Sequence, residues 1–367
     1  MNNIRLMRPY ITYDEVEAEF RSVFLSGMFT RGPHVEAFRK ELATFTGARY
    51  VHMTTSATTA LWVCLKLLGI SPEDEVVVSD FSFPATANVV EDVGATPVFA
   101  DVSLETYNML PETLEGLLTP RTKAVIFVDA LGNPSGLHAI SELCRSKGIP
   151  LIEDAACAIG SSEAGRRCGS IADLTCLSFH PRKLINTGEG GAITTDNDAW
   201  SHWLDVKLAH GAEGMKGVGL DFVNYGYNFR LPELQAVMGR KQLARLDAVI
   251  DRRNSMRKAY IAMLEPMGFA AQAVHSGVRY NVQSMVFRVP SGCNRDALVR
   301  ALKADGVETT LGTYAMSQGS YFARRYGVRN ANATLLQDTT ITLPCHDDMQ
   351  IEHVVDAIRR ALPQSSL

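Results

Sequence analysis

Short apolar runs with the composition of buried strands alternate with amphipathic stretches along most of this chain. Seven such runs occupy residues 50–53, 75–78, 97–100, 124–128, 150–152, 175–178 and 191–195. Stretches with helical spacing of apolar residues lie between them, at 59–68, 111–118 and 139–147 among others. This alternation predicts an α/β fold whose first domain holds a mainly parallel, seven-stranded sheet flanked by helices.

The remainder of the chain predicts a second, smaller unit. The polar stretch 209–224 carries four glycines and is predicted to be a long loop. A helical pattern follows at 232–264 and is ended by Pro266. Further segments of both types come after it, at 285–289, 295–305 and 351–362. We expect a large domain of residues 1–245, which includes the N-terminal segment, and a smaller C-terminal α/β domain of residues 246–367.

Composition narrows the class of protein. Of the 367 residues, 46% are hydrophobic and 21% are charged, and the net charge is −4, which is typical of a soluble globular protein and gives no support for a nucleic-acid or membrane partner. The seven cysteines include no C-x-x-C pair, so reduced thiols in a cytoplasmic protein are favoured over disulfides or a metal site.

Polar or aromatic residues stand where four of the predicted strands end. Thr58 lies in the hydroxyl-rich stretch 54–59 at a helix start, which either cradles an anion or only caps the helix. Phe83 follows the second strand and either stacks on a planar ring or joins the core. Asp154 follows an apolar strand, where an acid needs a cation unless it caps the next helix. Ser178 ends a further strand, within reach of the same anion.

Lys183 gives these positions a common interpretation. It follows the apolar strand at 175–178 and precedes the flexible run Gly188-Glu189-Gly190-Gly191, an arrangement that presents an amine to an aldehyde. A lone lysine is ordinarily a surface residue. Together with an anion cradle, a stacking face and an acid, however, it predicts a Schiff base with pyridoxal 5′-phosphate (PLP), whose pyridine nitrogen faces Asp154.

With these motifs, the chain resembles the DegT-type (DegT/DnrJ/StrS) sugar aminotransferases, a family of fold type I PLP enzymes. The matching motifs cover nearly the whole chain and include residues 26–33, 56–61, 83–88, 152–156, 178–183, 188–191 and 226–230. The chain departs from the family pattern at three places. Ala57 replaces a common glycine, Met28-Phe29 occupies the usual tryptophan region, and Cys157 stands where relatives often carry glutamine or histidine.

The resemblance implies roles for individual residues. Lys183 matches the lysine that binds the cofactor and then shuttles protons, and Asn228 matches a residue that reaches the cofactor phosphate of a neighbouring subunit, so a homodimer with shared active sites is implied. The cofactor is PLP, with pyridoxamine 5′-phosphate (PMP) as the intermediate form. The implied cofactor contacts are Ala57, Thr58, Phe83, Asp154, Cys157, Ser178, Lys183 and Asn228.

The resemblance also implies the reaction. Glutamate donates the amino group, and the acceptor is a keto sugar, most simply a nucleotide-linked 4-keto- or 3-keto-6-deoxy sugar. His180, Arg230 and Tyr314 are the candidate substrate residues. His180 either touches substrate or packs structurally, whereas Arg230 either binds a carboxylate or diphosphate or forms a structural ion pair.

Other functions are compatible with this family. Some members are keto-sugar dehydratases, and at least one type has histidine in place of the lysine, which Lys183 argues against. Others aminate cyclitols or keto-sugar acids. A non-catalytic sensor or regulator with the same fold is a third alternative, which the intact Lys183, Asp154 and Ser178 disfavour.

Overall fold

The computed structural model describes residues 3–365. Its largest sheet contains the seven predicted strands: β1 (Tyr50–Thr54), β2 (Glu75–Ser79), β3 (Thr96–Ala100), β4 (Thr122–Val128), β5 (Leu151–Asp154), β6 (Leu174–Ser178) and β7 (Gly191–Thr195). Their order across the sheet is β1-β7-β6-β5-β4-β2-β3, and β7 alone runs antiparallel to its neighbours. The predicted α/β fold with a mainly parallel sheet is therefore confirmed.

Alternation along the strands explains why helices cover both faces of this sheet. Val76 and Val78 of β2 pack with α3 (Ala57–Leu67) and α4 (Ala85–Asp92) on one face, and Val77 packs with α6 (Leu137–Lys147) on the other. A sheet buried on both faces needs continuous apolar strands, which is the pattern of the sequence. The helices are α1 (Glu17–Ser26), α2 (Pro33–Thr46), α3 (Ala57–Leu67), α4 (Ala85–Asp92), α5 (Pro111–Glu115), α6 (Leu137–Lys147), α7 (Asp198–Lys207), α8 (Glu233–Leu243), α9 (Leu246–Leu264), α10 (Arg295–Ala304), α11 (Ser320–Tyr326), α12 (Ala331–Thr339) and α13 (Ile351–Ala361).

Two elements differ from the sequence-based expectations. The stretch 209–224 contains an antiparallel hairpin of Ala212–Lys216 and Gly219–Phe222, whose turn includes Gly217 with φ +65°. Gly214 and Gly219 lie within these two short strands. The single helix expected at 232–264 is two helices, α8 and α9. Helical geometry is interrupted at Arg245, whose φ and ψ are −117° and 7°. Pro266 lies just beyond the end of α9, as expected.

The C-terminal part of the chain forms a second, antiparallel sheet. Its strands are β8 (Ala270–Ala271), β9 (Met285–Arg288), β10 (Thr310–Leu311) and β11 (Thr340–Leu343), in the order β8-β9-β11-β10. Phe287 and Ile341 pack here against α9, α10 and α13 in a separate core. The N-terminal segment, expected to belong with the large sheet, contacts this region: the N–H of Ile4 donates to the carbonyl of Gly306 at 2.8 Å.

Candidate active site

The carboxyl ends of β1, β2, β4, β5 and β6 lie at one edge of the main sheet, and a cavity of about 560 Å³ lies beyond them. Ligands bind at this edge in open parallel sheets. Nine of the eleven predicted site residues line the cavity: Ala57, Thr58, Phe83, Asp154, Cys157, Ser178, His180, Lys183 and Tyr314. Asn228 and Arg230 do not line it. Residues far apart in the sequence therefore meet in one place.

The start of α3 forms the anion-binding end of the cavity. Ser56 caps the helix: its Oγ accepts from the N–H of Thr59 at 3.1 Å, and the Thr59 hydroxyl accepts from the N–H of Ser56 at 3.1 Å. This reciprocal cap leaves the N–H groups of Ala57 and Thr58 as first-turn donors. Ser178 adds a hydroxyl from the end of β6, so this end of the cavity suits a phosphate.

Gly191, which begins β7, lets this strand pass close to the start of α3. A Cβ on Gly191 would lie 2.5 Å from the carbonyl carbon of Ser56 and 2.7 Å from the nitrogen of Ala57. Non-bonded atoms do not approach so closely, so a side chain here would push the helix start away. The last glycine of the Gly188–Gly191 run is thus needed for the shape of the anion cradle.

Asp154 is the buried acid of the site. Its Oδ2 accepts from the hydroxyl of Thr86 at 2.8 Å, and its Oδ1 accepts from the N–H of Ala156 at 3.2 Å. Burial raises the pKa of Asp154 above its ordinary value, although both hydrogen bonds and the charge of Lys183 lower it. A carboxylate in this setting is stabilised by a further cation, and a protonated pyridine nitrogen is one. The donor set of the cavity therefore fits PLP.

The Lys183 amine lies in the same cavity as Asp154. Its Nζ donates to the Sγ of Cys157 at 3.0 Å, which places both predicted cofactor residues in direct contact. Gln283 holds the loop around the lysine. The side-chain amide of Gln283 donates to the carbonyl of Arg182 at 2.6 Å and accepts from the N–H of Leu184 at 3.1 Å. The backbone on both sides of Lys183 is thereby fixed.

His180 is a neutral hydrogen-bond donor at the cavity wall. Its Nδ1 accepts from the N–H of Arg182 at 3.2 Å, so the proton of the neutral ring is assigned to Nε2. Burial lowers the pKa of His180 below its ordinary value, while the nearby carboxylate of Glu189 opposes this shift. The ring is therefore uncharged at neutral pH and has one N–H to offer to a ligand.

The wall opposite the strand ends is built from distant parts of the chain. It includes Leu6 and Met7 of the N-terminal segment and residues 310–314. Tyr314 pairs with Ser82 in a short two-stranded ladder, which holds the 310–314 segment beside the exposed Phe83. Of these cavity residues and their partners, the sequence predicts Phe83 and Tyr314, whereas Leu6, Met7, Gln283 and Thr86 were not predicted. Thr86 alone had a local signal, since it stands three residues after Phe83 at the start of α4.

Asn228 and Arg230 lie after the 212–222 hairpin, outside the cavity of their own chain. The Nε and Nη1 atoms of Arg230 are buried and have no hydrogen-bond partner within residues 3–365. Burial, together with the neighbouring charge of Arg31, lowers the pKa of Arg230. The Arg230 guanidinium therefore still has donors available for an anionic partner.

The sequence matches the model of the DegT/DnrJ/EryC1/StrS aminotransferase family over residues 11–360. The chain belongs to this family. A curated relative, the spore coat polysaccharide biosynthesis protein SpsC of Bacillus subtilis (strain 168), is 33% identical over 370 residues, which cover 96% of this chain and 95% of SpsC.

Solved structures of family members agree with the fold. The aminotransferase TlmJ from Streptoalloteichus hindustanus is 30% identical and superposes with a TM-score of 0.91, covering 98% of this chain and 99% of TlmJ. Spr1654 from Streptococcus pneumoniae in its PLP form is 26% identical, with a TM-score of 0.89 and 98% coverage of each chain. The same protein was also solved in a PMP form.

These similarities confirm several sequence-based predictions. The predicted family, the fold type I architecture, the assignment as a PLP-dependent aminotransferase, and PLP and PMP as its cofactor forms are confirmed. Within residues 3–365, no helix is both long enough and apolar enough to cross a membrane.

Proposed function

We propose that this aminotransferase moves the amino group of glutamate to a keto sugar, most simply a nucleotide-linked 4-keto- or 3-keto-6-deoxy sugar. The main support for this proposal is that Lys183 and Asp154 line one cavity whose far end, at Ala57 and Thr58, offers free N–H groups to a phosphate. The similarity to a polysaccharide biosynthesis protein supports a sugar acceptor. PLP, when bound, supplies the electron sink on which amino transfer depends.

Each residue of the cavity has a proposed task. The Lys183 amine takes a proton from one face of the substrate and returns it, as a general acid and base. Asp154 keeps the pyridine nitrogen protonated, and Phe83 covers one face of the ring. Cys157, which contacts the Lys183 amine, would lie near the ring of the bound cofactor. Ser178 holds the phosphate together with the N–H groups at the start of α3.

The acceptor binds on the side of the cavity away from α3. The Nε2–H of His180 and the hydroxyl of Tyr314 donate hydrogen bonds to sugar oxygens. Both groups line the cavity and have polar atoms free for a ligand. A wall that offers hydrogen-bond donors in this way favours a polyhydroxylated acceptor over an apolar one.

A homodimer completes the site in this proposal. Asn228 contacts the cofactor phosphate bound by the neighbouring subunit, and Arg230 supplies its unpartnered guanidinium to an anionic group there. The exposed apolar side chains of the adjacent hairpin, including Leu220 and Phe222, support an interface at this place. We also propose a division into a PLP-binding domain of residues 1–245 and a smaller domain of residues 246–367, and a cytoplasmic location.

The first test uses absorbance and a half-reaction. Purified chain incubated with PLP should gain the visible band of a lysine-bound cofactor, and added glutamate should convert it to the PMP spectrum. Lys183→Ala should lose the band and at least about 10³-fold in turnover, since the general base is lost. Lys147→Ala, at an exposed lysine paired with Glu115, is the matched control. A normal band in Lys183→Ala would refute the assignment.

The second test identifies the acceptor. The PMP form is mixed with a panel of keto-sugar nucleotides, a keto-sugar acid and a keto-cyclitol, and products are followed by mass spectrometry for replacement of a keto oxygen by an amine. A product from a nucleotide-linked keto sugar supports the proposal. Turnover of the cyclitol alone, or release of water from a sugar without amine gain, would contradict it.

A further inference from the structure

Two more carboxyl groups lie beside Asp154 and have no part in the proposed reaction. Asp129 directly follows β4, and Glu153 precedes Asp154 in β5, the strand paired with β4. Both side chains are fully buried, with 0% exposure. Successive side chains of a strand point to opposite faces, so Glu153 lies on the face of β5 opposite Asp154. Glu153 thus lies behind the acid that faces the cofactor, and Asp129, which also borders the cavity, lies beside it.

The hydrogen bonds around this pair are unequal. The Oε2 atom of Glu153 accepts from the hydroxyl of Thr175 at 2.7 Å and from the N–H of Gly169 at 3.2 Å. As long as both acids are ionised, the Oε1 atom of Glu153 and both carboxyl oxygens of Asp129 have no donor among the described residues, since neither carboxylate can donate to the other. Buried polar atoms without partners are costly. A proton on Asp129 would remove part of this cost, because Asp129 could then donate to Glu153.

The surrounding charges point to the same protonation. One carboxyl oxygen of each acid and the Sγ of Cys168 lie within 4.8 Å of one another. The other titratable groups that face the pair are Asp154 and Cys157, and no arginine, lysine or histidine of residues 3–365 forms an ion pair with either acid. Two buried carboxylates this close, with no cation between them, do not both ionise.

We propose that Asp129 and Glu153 share one proton, carried by Asp129, and act as a positioning pair that holds the end of β5 and the carboxylate of Asp154 in place. The N–H of Asp129 also donates to the carbonyl of Asp154 at 3.3 Å, so the pair is tied to this residue through the backbone as well. In this arrangement, the pair places one negative charge next to Asp154 instead of two.

The titration behaviour of the groups is consistent with this arrangement. Burial, followed by the charge of Glu153 and the hydrogen bond between the two side chains, raises the pKa of Asp129 well above its ordinary value. Burial also raises the pKa of Cys168 well above its ordinary value. The Cys168 thiol therefore adds no negative charge beside the two acids.

The direct test is infrared difference spectroscopy. At pH 7.5, subtraction of the Asp129→Asn spectrum from the wild-type spectrum should leave one carboxylic-acid C=O band, since the substitution removes a protonated group. Asp173→Asn, at an exposed aspartate at the start of β6, is the matched control and should remove a carboxylate band. Loss of a carboxylate band in Asp129→Asn would overturn the proposal. If Asp129→Asn does not fold, Glu153→Gln is measured in its place. This substitution should shift the carboxylic-acid band of the wild type, and an unshifted band would overturn the proposal.

Stability gives a second readout. The unfolded chain has ionised carboxyls at neutral pH, whereas the folded pair keeps its proton, so unfolding releases about one proton from the pair. The folded pKa is raised, and therefore the pair's contribution to stability falls as pH rises from the ordinary carboxyl range towards the raised pKa. In Asp129→Asn, unfolding releases one proton fewer, so Tm should fall less steeply as pH rises than in the wild type. An unchanged slope would contradict the proposal.

A third readout concerns position, and it rests on the proposed role of Asp154. Asp129→Ala, which removes the donor to Glu153, should weaken PLP binding about tenfold, whereas Asp129→Asn, which keeps a donor, should restore affinity to within about threefold. Equal losses in both variants, or one divalent metal ion per purified chain, would overturn the proposal. Because the infrared band is also recorded without cofactor, failure of the aminotransferase reaction would leave this test intact.

Discussion

The two walls of the cavity are built in different ways. The wall at the strand ends carries the anion cradle, Asp154 and Lys183, and each group follows a strand of one rigid sheet. The facing wall combines the N-terminal segment with residues 310–314, which come from opposite ends of the chain. In the proposed function, the first wall binds the cofactor. The second wall, built from a terminal segment and a loop, contacts the acceptor.

One buried acid joins the two walls. Asp80 follows β2 and accepts from the N–H and the hydroxyl of Ser317, both at 2.6 Å, and from the side-chain amide of Asn330 at 2.8 Å. Burial raises the pKa of Asp80, while these hydrogen bonds lower it. The segment that carries Tyr314 is thus attached to the sheet close to Ser82, its ladder partner. Substitutions in either wall should therefore separate cofactor effects from acceptor effects.

The largest expected effect of these substitutions is in the first wall. Asp154→Asn should reduce kcat about 10²- to 10³-fold at saturating PLP, because the pyridine nitrogen loses the charge that keeps it protonated. The measurement is the rate of PMP formation with glutamate. Asp173→Asn is the control again, since this acid caps the other end of β5 by accepting from the N–H of Leu151. If kcat of Asp154→Asn fell by less than about threefold, the role of Asp154 as the acid that keeps the pyridine nitrogen protonated would be contradicted.

The two walls also differ in how well sequence predicts them. Lys183 and Asp154 stand in short motifs directly after strands, so the strand pattern alone places them at one edge of the sheet. Leu6 and Gln283 have no such signal, because their positions depend on how the C-terminal sheet packs against the first. Gln283 contacts the loop of Lys183 although about 100 residues separate them in the sequence, and no local pattern predicts a contact between residues so far apart.

The errors in secondary structure have a similar origin. The glycines of the 212–222 hairpin predict a loop, and the strands give no opposing signal because they are short and their side chains, such as Met215 and Leu220, are exposed. The break between α8 and α9 at Arg245 has no proline or glycine to mark it. There Arg245 pairs with Glu15 of the N-terminal region, a tertiary contact that local helix propensity does not report.

Thr86 should have the next largest effect. Thr86→Val removes the hydroxyl that donates to Asp154 and should cost about tenfold in kcat, as expected for a hydrogen bond to a charged group. Because this bond lowers the pKa of Asp154, its loss raises that pKa. The acidic limb of the kcat profile should therefore move to higher pH. Ser82→Ala, which removes only the group bonded to Thr86, serves as the control and should leave the limb close to its wild-type position.

In the second wall, Asp80→Ala should affect stability and acceptor binding more than chemistry. Three donors lose their acceptor in a buried site, so the free energy of unfolding should fall by about 2 kcal/mol. The KM for the keto sugar should rise, while the spectrum of bound PLP stays unchanged. Urea unfolding and steady-state kinetics measure both. A changed cofactor spectrum with an unaltered KM would show that the two walls are not separable in this way.

The smallest effect should come from the hydroxyl of Tyr314 alone. This side chain is 44% exposed at the rim of the cavity, where water competes for its hydrogen bond, so Tyr314→Phe should raise the KM for the acceptor by no more than about fivefold. Tyr314→Ala, which also removes the ring, should raise it further, and neither variant should slow PMP formation from glutamate. If Tyr314→Phe slowed that half-reaction instead, the tyrosine would act on the cofactor. The two walls would then not have separate roles, since a residue of the second wall would contribute to the reaction assigned to the first.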